Sequence, residues 1–274
     1  MASYSANSRE EGRAPLPMEN RERDWWLMPL LTVVVLTLFG IYTTFRAFEN
    51  NYYHYTNNGA DYLSPFYSPL LPIAWYLHLP LFGLKMVSPA IYILIFPLAF
   101  RLTCYYYRKA YYRSFFWDPP ACAVAEPRAD ARMKYTGERK FPFILQNLHR
   151  YAFYAAVVIV IILWKDTVDA FIWTNPDGTH HFGIGVGSIV FLVNIILLSL
   201  YTFSCHSWRH FIGGKHNCYS CSCGTRSSYG IWKKVSFLNH NHALWAWVSM
   251  LSVWFTDFYV MAVASGMFKD IRIL

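Results

Sequence analysis

Apolar residues in this chain fall in long blocks rather than in the short alternations of a soluble sheet. A bilayer core of about 30 Å needs roughly 20 mostly apolar residues in a helix, and four blocks meet that length: 25–48, 148–173, 184–212 and 238–268. A fifth, 89–112, is apolar to Phe100 and then continues as RLTCYYYRKAYYR, a tyrosine-rich basic end suited to a membrane interface. Pro97 lies inside it and predicts a kink, because its missing N–H frees a carbonyl one turn back. The run SPFYSPLLPIAWYLHLPLFGL, 64–84, is interrupted by Pro65, Pro69, Pro72 and Pro80, so an interfacial or re-entrant piece is expected there rather than a sixth crossing. The pattern predicts an all-α polytopic membrane protein. A polar arm, 1–24, precedes a five-helix transmembrane bundle, 25–274, with polar loops at 113–147 and 213–237.

Composition agrees with that class. The chain has 274 residues, 55% hydrophobic and only 15% charged, too few charges for an ordinary soluble domain. The arm mixes arginine and glutamate and lacks the cleavage pattern of a signal peptide. Basic residues are one-sided: they crowd the arm, the 113–147 loop and the 213–237 loop, and are sparse in the alternate connections. The positive-inside rule then puts the N-terminus and both loops in the cytoplasm and the C-terminus outside. The net charge of +8 needs no nucleic acid, since topology, anionic membrane lipid and a docked acidic protein account for it.

Candidate chemistry concentrates in TFSCHSWRHFIGGKHNCYSCSCG, 202–224, which holds three histidines and four of six cysteines; Cys104 and Cys122 stand apart. Cys205, His206 and His210 end the fourth block, while His240 and His242 open the fifth, so antiparallel helices bring them to one depth. A cytoplasmic position keeps these thiols reduced and favours metal or cofactor binding over disulfides. His206 and His210, four residues apart, share a helix face. That suits one metal atom better than haem b, which would need one of them opposite His149, His240 or His242. Cys218-x-x-Cys221 with two histidines has the composition of a zinc site, but zinc leaves Cys205 and His206 unexplained within the apolar end of a helix. A Rieske-type [2Fe–2S] centre uses two thiolates and two neutral imidazoles. The expected ligands are Cys205 with Cys221, or else Cys218, and two of His206, His210 and His242, with His240 in the wider set. The usual C-x-H and C-x-x-H spacing is absent.

A Rieske-type potential suits reduction of a carrier such as a quinone, and a site for one near that level needs hydrogen-bond donors and a path to water. His149, Arg150, Trp208, Arg209 and Tyr105 are the candidates. Asp257, Asp166 and Asp169 lie toward the other face, where helix capping or a pair with Lys165 or Arg46 is expected of them; if the quinone binds on that side instead, Asp257 and the SPFYSP segment are its candidates.

Five phrases, LSPFYSP at 63–69, PFILQNLHRY at 142–151, SCHSWRHFIGG at 204–214, LNHNHALWAWVS at 238–249 and FTDFYV at 255–260, resemble the single-chain membrane anchor of a haem-free class of bacterial succinate:quinone oxidoreductase. The resemblance implies a respiratory complex II in a bacterial plasma (inner) membrane. In it a flavoprotein oxidises succinate, an iron–sulfur subunit passes the electrons to this anchor, and menaquinone or ubiquinone is reduced. It leaves room for a higher-order homo-oligomer of the complex, and it implies no dehydrogenase activity for the chain alone. The rival readings are a haem b anchor and a transporter-like protein with a cytoplasmic zinc site; no internal repeat of the kind common in transporters is visible.

Overall fold

In the computed structural model, the described residues are 26–56, 59–70, 88–115, 141, 143–213, 218, 220 and 223–274. The arm 1–24, the 71–87 part of the proline-broken run, most of the 113–147 loop and Cys221 lie outside them. Eight α-helices and two small hairpins make up the described fold.

Four of the helices are long and apolar enough to cross a membrane: α1 (Leu27–Glu49), α4 (His149–Asp169), α5 (Val186–Phe203) and α8 (His242–Ala264). The fifth apolar block is shorter than expected. It forms α2 (Pro89–Thr103) and then breaks at Cys104, whose φ −65° and ψ 127° are extended, before α3 (Tyr105–Phe115). Ser88 caps α2 by accepting from the Ala90 N–H, with Pro89 at the first helical position. The break falls where the apolar composition ends. The tyrosine-rich α3 leaves the helix axis and packs along α1, while Tyr107 stays buried and donates to the Ala246 carbonyl.

Three other expected boundaries shift for physical reasons. The 184–212 block divides at Ser204 and Cys205 into α5 and α6 (His206–Gly213). There the Ser204 carbonyl accepts from the Asn239 side chain at 2.8 Å, which replaces a helical bond. The 148–173 block stops at Asp169, because Ile172–Thr174 is strand β3, paired antiparallel with β4 (His180–Phe182). Most of the expected 213–237 loop is instead helix α7 (Cys223–His240). Its apolar and polar positions are mixed, so a search for continuous apolar runs passes over it. Arg209 ties α6 to α7 through a 2.9 Å bond to Ser236 and a cation–π contact with Trp232.

The helices leave two distinct ends. At the hairpin end, β1 (His54–Tyr55) pairs with β2 (Tyr62–Leu63), and Tyr62, Trp173, Phe191, Tyr259 and Val260 form a buried cluster. Asp270 closes it, accepting from the hydroxyls of Tyr62 and Tyr259 and from the Gly187 N–H at the start of α5, where a carboxylate also meets the positive helix terminus. Arg46 and Asp257, both fully buried, form a two-pronged ion pair at 2.8 and 3.2 Å; Tyr42 and Ser64 also donate to Asp257. Arg46 is one of the two partners anticipated for Asp257. Asp169 pairs with Lys165 on the surface, and Asp166 accepts from Ser68. The opposite end carries Cys104, the starts of α4 and α8, and α6.

A candidate redox centre at the end of the bundle

Four chain breaks meet at one depth. Cys104 sits between α2 and α3, Cys205 between α5 and α6, and His149 and His242 are the first residues of α4 and α8. All four line one pocket, together with Thr103 and His206. Cys104 and Cys205 are buried free thiols. The His149 Nε2 lies 3.1 Å from the Cys205 Sγ, and the His242 Nε2 lies 3.5 Å from the Cys104 Sγ.

The other nitrogen of each ring is held by a hydroxyl. Thr103 Oγ1 donates to the Ala99 carbonyl at 2.7 Å, so at its 2.8 Å contact with His149 Nδ1 the histidine is the donor. Ser204 Oγ donates to the Tyr201 carbonyl at 2.9 Å and therefore accepts from His242 Nδ1 at 2.7 Å. A hydroxyl has one proton to give, and it is already committed in both cases. Both imidazoles are thereby assigned as Nδ1–H tautomers whose Nε2 lone pairs face a sulfur. That is the state a metal-ligating imidazole requires, and the outer hydroxyls are its usual support. Aromatic rings cover the imidazoles: Phe100 stacks on His149 and Tyr201 on His242, both at 5.1 Å. Among the described residues, the buried Tyr201 hydroxyl has no hydrogen-bond partner.

The anticipated residues distribute unevenly over this geometry. Cys205, His242, His206, His149 and Tyr105 line the pocket. His210 and Arg150 instead face each other at the surface, 3.5 Å apart, and His240 is exposed at the end of α7. Cys218 is disulfide-bonded, contrary to the reduced thiols expected of this loop, and its sulfur is thereby committed elsewhere. Trp208 packs in an aromatic group with Phe153, Phe203 and Phe211, and Arg209 is tied to α7. The pairing of Cys104 with His242 and of His149 with Cys205 went unread. The available signal was depth: Cys104 ends the fifth apolar block on the side where the other ligands lie. Thr103 and Ser204 each directly precede one of the two cysteines, and nothing in the sequence pattern marked them as histidine supports.

Among the described residues, no three or more His, Cys, Asp and Glu side chains converge on a single point that would hold one metal ion. The donors come instead as two Cys/His pairs, Cys205 with His149 and Cys104 with His242.

A family model described as actinobacterial succinate dehydrogenase subunit SdhC matches residues 27–266. The chain belongs to this SdhC family. It is thus a membrane anchor of succinate dehydrogenase, and its several apolar helices are those of a multi-pass membrane protein. Among solved structures, a chain of the Mycobacterium smegmatis Sdh1 complex in the apo form is similar, with 46% identity and a TM-score of 0.77. That likeness covers 96% of this chain and 97% of the other. No curated protein matches the chain.

Proposed function

We propose that this SdhC-family chain is the quinone-reducing anchor of the complex and that Cys104, Cys205, His149 and His242 hold a Rieske-type [2Fe–2S] centre. The observation that carries the reading is the donor set itself. Two buried thiols face two imidazoles whose other nitrogens are already fixed, in a pocket at the end of the bundle. The neutral imidazoles lower the negative charge that must be desolvated, compared with four thiolates. When bound, such a centre supplies a one-electron carrier with a potential between about −150 and +300 mV, suited to a quinone acceptor.

The chain's own residues do the rest. Thr103 and Ser204 hold the ring orientations, and Phe100 and Tyr201 shield the imidazoles from lipid and water. With the shorter α2 counted as a fifth crossing beside α1, α4, α5 and α8, the one-sided basic loops favour a cytoplasmic face for the Cys/His end. There Arg150, Arg209, Lys233 and Lys234 offer a basic surface to the iron–sulfur subunit, which in turn receives electrons from the flavoprotein. Succinate gives up two electrons and two protons on becoming fumarate; menaquinone or ubiquinone takes up the same number on becoming quinol.

The test is the purified complex. Iron and acid-labile sulfide above the content of the soluble subunits, with a succinate-reducible paramagnetic signal that disappears in His149→Ala/His242→Ala, are expected. The same variant should lose quinone reduction and keep succinate oxidation by a soluble dye. Zinc without additional iron, a haem Soret band, or normal quinone turnover in the variant refutes the assignment.

A further inference from the structure

Arg101 lies in the last turn of α2, half-buried, and its side chain reaches one to two turns into α8. There it donates to the Ala246 carbonyl at 3.2 Å and to Ser249 Oγ at 3.3 Å. It also donates to the Tyr107 hydroxyl, which donates in turn to the same Ala246 carbonyl. These neutral acceptors take three of the five guanidinium N–H donors and leave the charge itself unbalanced. At the hairpin end the buried Arg46 has Asp257 for a counter-charge. Among the described residues, Arg101 has no carboxylate bonded to it. A cation within a membrane bundle is costly, and such residues mark functional paths more often than packing.

What faces Arg101 is the Cys/His end. Its guanidinium carbon lies 4.7 Å from the centroid of the Tyr201 ring, and that ring stacks on His242 at 5.1 Å. Its carbonyl accepts from the Cys104 N–H at 3.2 Å. The cation is therefore one hydrogen-bonded turn from one thiol and one aromatic ring from the imidazole paired with that thiol.

Charge counting gives this placement a purpose. Two ferric ions, two sulfides, two thiolates and two neutral imidazoles sum to zero. One electron arriving from the iron–sulfur subunit makes the sum −1, and it returns to zero when the electron passes on to quinone. A fixed positive charge beside the site favours the reduced form alone, and net charge is among the factors that set the potential of such clusters. We propose that Arg101 is the electrostatic partner of the reduced centre and holds its potential up. The inference rests on the electron-relay reading above and adds the residue that sets the relay's driving force. Arginine suits the task because it stays protonated and its planar fork is fixed by several acceptors at once. By Coulomb's law, one unit charge about 10 Å away at an effective dielectric constant of about 20 shifts a one-electron equilibrium roughly tenfold.

The test is a potentiometric titration of the purified complex, read by the paramagnetic signal of the reduced membrane centre. The centres of the soluble iron–sulfur subunit serve as internal reference. Arg101→Gln is expected to weaken reduction of the membrane centre about tenfold, a fall of about 59 mV in its midpoint, with the reference centres unmoved. Because guanidinium does not titrate, that difference should be the same at about pH 6 and about pH 8. Arg101→Lys keeps the charge and should recover most of the shift. Ser249→Asp leaves Arg101 and its bonds to Tyr107 and Ala246 in place and sets a carboxylate beside it. It should lower the midpoint as Arg101→Gln does, and it decides alone where Arg101→Gln binds no iron. A reduction equilibrium within about twofold of the parent in Ser249→Asp, or a shift in Arg101→Lys as large as in Arg101→Gln, overturns the inference while the relay stands. Loss of iron from both Arg101→Gln and Ser249→Asp marks Arg101 as a structural prop and overturns it too. Absence of any reducible membrane centre in the parent complex overturns the relay reading instead.

Discussion

Replacing Asp257 by alanine tests how the hairpin end is held. The carboxylate accepts from two nitrogens of Arg46 and from the hydroxyls of Tyr42 and Ser64, and both ionic side chains are fully buried. Removing it leaves Arg46 with Glu49, 19% exposed at the rim, and the Asn51 carbonyl, and strands two hydroxyls. Breaking a buried ion pair by deleting one partner costs about 3–5 kcal/mol, so Asp257→Ala should lose that amount in equilibrium unfolding from mixed detergent micelles. That corresponds to a more than 100-fold fall in the ratio of folded to unfolded protein. The cost comes mainly from the buried cation, which loses its buried carboxylate and keeps only Glu49 at the rim. The double variant Arg46→Met/Asp257→Leu removes both charges and should therefore be more stable than either single change. A loss below about 1 kcal/mol in Asp257→Ala, or a double variant as unstable as the two single losses summed, would refute the reasoning.

Other expectations follow from single contacts. Thr103→Val and Ser204→Ala remove the hydroxyls that hold the Nδ1–H tautomers; each should lower bound iron or quinone turnover by about 10- to 100-fold, whereas Thr103→Ser should behave as the parent, as metal analysis and steady-state assays would show. Asp270→Ala frees the start of α5 and two tyrosine hydroxyls, and should cost about 1–3 kcal/mol, seen as early proteolysis or exchange of the segment after α8. In the β1–β2 hairpin, the bond to Asp61 raises the His54 pKa above its ordinary value of 6.5. The folded state therefore binds the proton more tightly than the unfolded one, so this stabilisation is full below the ordinary value and fades as pH rises through the raised one. A histidine titration by NMR should place His54 above 6.5, and Asp61→Asn should bring it back.

What could be read along the chain was whatever depends on continuous stretches. The long apolar runs of α1, α4, α5 and α8 stood out because each is buried in lipid or in the bundle on every side. α7 did not, because Tyr229, Trp232 and Val235 alternate with lysines and serines and no apolar block forms. The breaks at Cys104 and Ser204 were invisible for a different reason. Each is decided by a partner distant in sequence: Tyr107 on Ala246 in one case and Asn239 on Ser204 in the other. A helix that reads as continuous apolar chain stops where a tertiary hydrogen bond supplies a better partner than its own next turn.

The same distinction explains the candidate site. Density of cysteine and histidine in 202–224 pointed to this end of the bundle, yet among the described residues of that stretch Cys205 and His206 alone line the pocket, because consecutive residues on a short helix such as α6 diverge around its axis. Ligands that converge must come from separate elements, and here each comes from a different helix terminus. Helix ends are well suited to such convergence. The backbone there is released from the i to i−4 pattern, so Cys104 and Cys205 can sit in breaks, and the residue before each, Thr103 or Ser204, can turn its hydroxyl onto an imidazole. The arrangement couples fold to chemistry directly. A change that let α2 run on through Cys104, or α5 through Cys205, would lengthen a helix by one turn, keep every donor in the chain, and still dismantle the centre.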